Sequence, residues 1–121
     1  MIVKNEEEVL ARCLTCVKSF ADQIVVVDTG STDSTIAIAE TFTDEVYHFT
    51  WVDNFSAARN YAFSLATCPY VMWLDADDVI EDEEIKKLNQ LKERLKTQDT
   101  VMLKYRSGEA VYFRERILRR G

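Results

Sequence analysis

Three carboxylates fill four positions at Asp75-Ala76-Asp77-Asp78, directly after the apolar run Val71-Met72-Trp73-Leu74. Acids this close repel one another unless a cation or an array of donors neutralises them. Hard divalent ions such as Mg²⁺ or Mn²⁺ take carboxylate oxygens and are commonly shared with substrate phosphates. The spacing reads as a metal–phosphate site, with an acidic turn that caps the following helix as the plainer alternative. Asp28 is a second candidate. It ends the β-branched run Ile24-Val25-Val26-Val27 and precedes the turn Thr29-Gly30-Ser31-Thr32-Asp33. There it can accept from a base or ribose, or cap its own turn. Arg59 and Asn60 are a third pair. An arginine in the first turns of a helix opposes the helix dipole. It therefore either pairs with Asp53 or Asp33 or binds a nucleotide.

Two further features carry less chemistry. Cys13-Leu14-Thr15-Cys16 is formally a C-x-x-C. A redox pair needs its first thiol at a helix N-terminus, and Cys13 falls two turns inside a predicted helix. A zinc site needs more ligands, and the only histidine, His48, is far off in sequence. Two thiols on or beside a core face fit better. His48 itself is equally well a half-buried strand residue or a functional one.

These groups need elements to hold them. Val71 to Leu74, next to Pro69, reads as a strand buried on both faces, of the kind found inside a parallel sheet. Such a strand delivers Asp75 and Asp77 to the carboxyl edge, where open α/β sheets bind ligands. Ile24 to Asp28 reads as another buried strand. Met1-Ile2-Val3 reads as a strand that has lost its beginning, and Glu45 to Phe49 as a short third one. Asn5 with Glu8 forms a capping-box pattern. Val9, Leu10, Cys13, Leu14, Val17 and Phe20 then recur at helical spacing over about four turns. Further helices are expected over 34–42, from Ser56, and after Glu81, the last with an Ile85, Leu88, Leu91, Leu95 seam and cations Lys92, Arg94 and Lys96 near its end. Strand, Asp, Gly-Ser turn and helix make half of a nucleotide-binding βαβ unit, although no G-x-G-x-x-G and no P-loop lysine is present. Alternation over 100–106 and 110–113 around Ser107-Gly108 predicts a C-terminal hairpin. Arg114, Arg116, Arg119 and Arg120 then form a solvated edge or an anion patch.

A chain of 121 residues suits one small domain, and 47% hydrophobic content supplies an ordinary core. Fifteen basic against twenty-one acidic residues give a net charge of -6, which argues against nucleic acid as a partner. No apolar run has transmembrane length and no signal-peptide pattern is present. Three cysteines with no disulfide framework point to a reducing, cytoplasmic setting.

Four blocks, taken together, resemble the family 2 glycosyltransferases, in an order and spacing like those of the bacterial branch. They are Met1-Ile2-Val3-Lys4-Asn5-Glu6-Glu7, Val26-Val27-Asp28-Thr29-Gly30-Ser31-Thr32-Asp33, Asn54-Phe55-Ser56-Ala57-Ala58-Arg59-Asn60 and Trp73-Leu74-Asp75-Ala76-Asp77-Asp78. The resemblance implies a GT-A fold: a Rossmann-like three-layer α/β/α sandwich with a mainly parallel sheet. It implies inverting transfer of a sugar from a nucleotide-sugar donor, with UDP-sugar favoured, to an acceptor. It makes Asp75-Ala76-Asp77 the Asp-x-Asp element of the nucleotide-sugar site, which holds the ribose and the Mg²⁺ or Mn²⁺ on the diphosphate, with Asp75 and Asp77 as the metal ligands. It also assigns Lys4, Glu6, Asp28, Arg59 and Asn60 to the nucleotide-sugar site. The family's paired aspartates after the second strand are here Asp28-Thr29. The inverting base of such enzymes lies downstream of Asp-x-Asp, and no candidate stands before Gly121. Residues 1–121 are therefore expected to be a single nucleotide-sugar-binding domain, truncated at its C-terminus. Two alternatives follow: a non-catalytic nucleotide-sugar-binding module, or a haloacid-dehalogenase-type phosphatase with Asp75 as nucleophile and Asp77 as acid/base.

Overall fold

Alternating strands and helices order the chain as β1 (Ile2–Val3), α1 (Leu10–Lys18), β2 (Val26–Asp28), α2 (Thr35–Glu40), β3 (Val46–His48), α3 (Phe55–Ser64), β4 (Tyr70–Met72), α4 (Asp82–Lys92), β5 (Thr100–Ser107) and β6 (Ala110–Arg119). The computed structural model describes residues 1–68, 70–92, 100–107 and 110–119, with side chains described up to residue 91. The side chains of Lys92, Arg94, Lys96, Arg114, Arg116, Arg119 and Arg120 lie outside that set, as does Gly108 of the expected turn.

β1, β2 and β3 form a parallel sheet in that order. Val3 lies opposite Asp28, and Asp28 opposite His48, so three strands end level with one another. Val26 and Val27 are both fully buried. Successive strand residues point to opposite faces, so β2 is covered on both sides. On one side, Val3 and Val26 pack with Leu10 and Leu14 of α1, Ala39 of α2, and Ala76. α3 packs onto β1 and β2. Burial of Leu10 and Leu14 contributes about 1.5–3 kcal/mol each. A second cluster joins Cys13, Val17 and Phe20 to Leu88 of α4, with Ile85 and Leu91 against it. The predicted apolar stripe of α1 thus divides between two cores.

Three local expectations need correction. α1 starts at Leu10, with Val9 as its N-cap and no side-chain cap. Asn5 is drawn into a left-handed conformation (φ 51°) and bonds elsewhere, so the Asn5–Glu8 capping box does not form. α3 starts at Phe55, because the Asn54 side chain caps it by accepting from the Ala57 N–H at 3.2 Å. β4 is half-buried, ends at Met72, and pairs antiparallel with β6, which pairs antiparallel with β5. Its apolar run reports burial; the direction of its neighbour was set by residues more than forty positions away.

Candidate functional site

The loops after β1 and β2 are laced together. The Asn5 N–H donates to Ser31 Oγ at 2.9 Å, and Asn5 Oδ1 accepts from the Thr32 N–H at 2.8 Å. The Ser34 N–H donates to Glu7 Oε2 at 3.0 Å. The Glu6 N–H donates to Thr35 Oγ1 at 2.8 Å, and that hydroxyl donates to Asp33 Oδ1. Loop amides that would face water are satisfied across the sheet edge instead. The donation from Thr35 holds the Asp33 carboxyl below the usual aspartate range.

Asp28 is 1% exposed. Its Oδ2 accepts from the N–H groups of Gly30 and Ser31, both at 3.0 Å. Gly30 sits at φ 125°, a backbone region that side chains disfavour, and so turns both amides inward. Asp28 therefore does cap its own turn, but with one oxygen only. Oδ1 is buried with no hydrogen-bond partner among the described residues. Such an orphaned acceptor is costly until a donor meets it. His48 Nδ1 lies 3.9 Å from Oδ2, with its ring mostly exposed.

The acidic turn follows β4 by three residues. Asp75, Asp77 and Asp78 each place a carboxylate oxygen within 4.8 Å of the others. The turn closes on itself: the Asp75 N–H donates to Asp78 Oδ2 at 2.8 Å, and the Asp78 N–H to the Asp75 carbonyl at 3.0 Å. Ala76 is 3% exposed and sits in the core between two exposed aspartates. Burying that methyl faces Asp75 and Asp77 outward. Three hard oxygen donors in this space suit a divalent cation, which would offset their repulsion. Glu6 stands in the same field. Its carboxyl is raised above the usual range, first by burial, then by the charges of Asp77, Asp33 and Asp75. The first and fourth sequence blocks are thereby coupled electrostatically.

Arg59 makes neither expected ion pair; among the described residues no bridge joins it to Asp53 or Asp33. Its guanidinium lies over two rings instead, 4.7 Å from the Phe55 centroid and 4.3 Å from that of Trp73. Asp53 accepts from Trp51 Nε1 at 3.0 Å. The flat, weakly hydrated guanidinium favours aromatic faces, which ties α3 to the residue two before Asp75. Asn60 and Lys4 are exposed. Phe55, Trp73 and Thr35 were not anticipated as site residues. A ring four residues before Arg59 was the one signal available for Phe55.

The C-x-x-C thiols are structural. Among the described residues no disulfide joins Cys13, Cys16 or Cys68. Cys13 is 1% exposed, and burial pushes its thiol up to about 12. A cavity of 510 Å³ lined by Leu14, Val17, Phe20, Ala62 and Leu88 contains none of the three clustered carboxylates.

A sequence model of Glycosyl transferase family 2 matches residues 1–120. The chain belongs to glycosyl transferase family 2. Within 78 residues it is 49% identical to a TPR repeat-containing protein of Synechococcus elongatus, covering 64% of this chain and 19% of that one. Over 83 residues it is 36% identical to an uncharacterized glycosyltransferase of Rickettsia conorii, covering 69% and 29%. Among solved structures it is similar to S. aureus TarS, at 24% identity and TM-score 0.73 over 90% of this chain and 35% of that one. A complex of TarS with UDP matches at TM-score 0.70. The likeness to TarS shows the GT-A fold. The chain spans less than a third of the length of these two curated relatives. Among the described residues no helix is long and apolar enough to cross a membrane.

Proposed function

We propose that residues 1–121 form the donor-binding part of a metal-dependent, inverting glycosyltransferase that takes its sugar from a nucleotide-sugar. The convergence of Asp75, Asp77 and Asp78 within 4.8 Å carries this reading. Asp75 and Asp77 would hold Mg²⁺ or Mn²⁺. The cation would supply Lewis-acid neutralisation of the departing diphosphate. Asp28, a buried carboxylate at the end of β2, is assigned to a nucleoside donor group, and Glu6 and Lys4 are assigned to the same nucleotide-sugar site. Arg59, held flat by Phe55 and Trp73, offers its N–H groups to the diphosphate, with Asn60 beside it. The base that activates the acceptor is proposed to lie outside these residues. TarS, which shares the fold, has been solved with UDP, so a UDP-sugar is the first donor to test. Family membership favours sugar transfer over the phosphatase alternative. Three cysteines with no disulfide among the described residues fit a cytoplasmic setting.

A thermal-shift screen of nucleoside diphosphates and nucleotide-sugars, with and without Mn²⁺, tests the reading. A ligand that binds only the folded chain raises its melting temperature by mass action. The expected result is a Mn²⁺-dependent shift with UDP or a UDP-sugar. An equal shift in EDTA would remove the metal from the proposal, and no shift with any nucleotide would overturn it.

A further inference from the structure

Two consecutive residues of α1 reach the backbone of the acidic turn from more than sixty positions away. Arg12 Nη2 donates to the Asp77 carbonyl at 3.4 Å. Cys13 Sγ donates to the Asp75 carbonyl at 3.5 Å. Between those carbonyls, Ala76 is buried in the cluster that contains Leu10 and Leu14 of the same helix. The turn is therefore fixed to α1 at three successive residues. The turn also carries its own bonds between Asp75 and Asp78.

The chemistry of the two donors suits the task. Cys13 is protonated and buried, so it is a neutral, weak donor that brings no anion toward three carboxylates. Arg12 is exposed and places a cation beside the same cluster, which lowers the repulsion the turn must withstand while no divalent ion is bound.

We propose that Arg12 and Cys13 are positioning residues which hold Asp75 and Asp77 in the spacing that a divalent cation and a diphosphate require. The consequence for metal binding rests on the donor-site reading above; the positioning itself does not. Groups that orient the ligands of a metal commonly alter its affinity by about tenfold or more when removed.

The test uses the full 121-residue chain and two readouts. Hydrogen exchange of the Asp75 and Asp78 amides, without metal, reports the order of the turn. Titration calorimetry with UDP, in Mn²⁺ and in EDTA, reports the consequence. Cys13→Ala and Arg12→Met are expected to speed exchange of those two amides, and to weaken the Mn²⁺-dependent part of UDP binding by about tenfold, with the EDTA affinity unchanged. Cys13→Ser, which restores a donor, is expected to recover both. Arg12 is exposed, so Arg12→Met keeps the test open if Cys13→Ala fails to fold. Unchanged Asp75 and Asp78 exchange in Arg12→Met and in folded Cys13→Ala would overturn the positioning role. Equal acceleration at Gly30 and Ser31 would also overturn it, since that reports general loosening. Faster exchange confined to the turn, in a chain that binds no Mn²⁺ and UDP together, would support the positioning role and refute the donor-site reading.

Discussion

The backbone N–H of Glu6 donates to the hydroxyl of Thr35 at 2.8 Å, joining the loop after β1 to the first residue of α2 across 29 positions of sequence. Thr35 is fully buried, and the same hydroxyl donates to Asp33. Thr35→Val keeps the shape and removes both bonds. A buried donor left unpaired costs about 1–3 kcal/mol, so urea unfolding of this variant is expected to move down by that amount. Thr35→Ser, which keeps the hydroxyl, is expected to lose less. A larger loss in Thr35→Ser than in Thr35→Val would mean that the methyl, which valine keeps, and not the hydrogen bonds, holds this corner.

Glu6 gives a pH signature. Its carboxyl is raised by burial first and by Asp77, Asp33 and Asp75 after it, so the folded chain disfavours the ionised form. A raised folded value means that the group's contribution to stability is complete below the ordinary glutamate range. That contribution is lost as pH rises through the folded value. Glu6→Gln is therefore expected to melt higher than the parent near neutral pH and equally at about pH 3. A difference that does not vary with pH would show that Glu6 does not sense the acidic turn.

Asp77→Asn is expected to abolish most Mn²⁺-dependent UDP binding, a loss of at least about tenfold or 1.4 kcal/mol. Its melting temperature should hold or rise, because one charge leaves a crowded cluster. Asp75→Asn should weaken binding less if Asp75 mainly contacts the ribose. Titration calorimetry in the two variants separates these effects, and an unaltered affinity in Asp77→Asn would remove that residue from the metal site.

Arg59 is held by two rings, so its replacements should rank by planarity as well as by charge. Arg59→Ala is expected to lose about 1–2 kcal/mol of stability from the two ring contacts. Arg59→Lys should fall between it and the parent, since an ammonium is compact and strongly hydrated. Chemical denaturation provides the ranking, and a lysine variant as stable as the parent would argue against the stacking.

Thiol reactivity should separate the cysteines. With its thiol up at about 12 and only 1% exposed, Cys13 is expected to resist iodoacetamide in the folded chain. Cys16 and Cys68, both half-buried, should be alkylated first. Mass spectrometry of peptides with and without urea distinguishes the sites. Prompt modification of Cys13 would show that α1 lifts from the core.

Short-range patterns carried much of the architecture. The stripe of Leu10, Cys13, Leu14, Val17 and Phe20 follows the helical period, and all five are buried. The run Val26-Val27-Asp28 is fully buried in β2, and its Gly-Ser turn binds Asp28 as turn chemistry dictates. The crowding of Asp75, Asp77 and Asp78 is written in four adjacent positions, so its chemistry was legible without coordinates. These features depend on neighbours within one turn or one strand.

Other features depend on partners that arrive from far along the chain. Asn5 has the right type and spacing for a capping box, yet Ser31 and Thr32 capture it from 26 and 27 positions away. Arg59 had two aspartates to choose from, and Trp73 reached it instead. The antiparallel neighbour of β4 and the α1 contacts to the acidic turn follow the same rule. Local period and composition state which groups are buried and which are charged. Only packing decides which distant donor meets each acceptor, because several partners are equally suitable in type and the fold brings just one within hydrogen-bond reach.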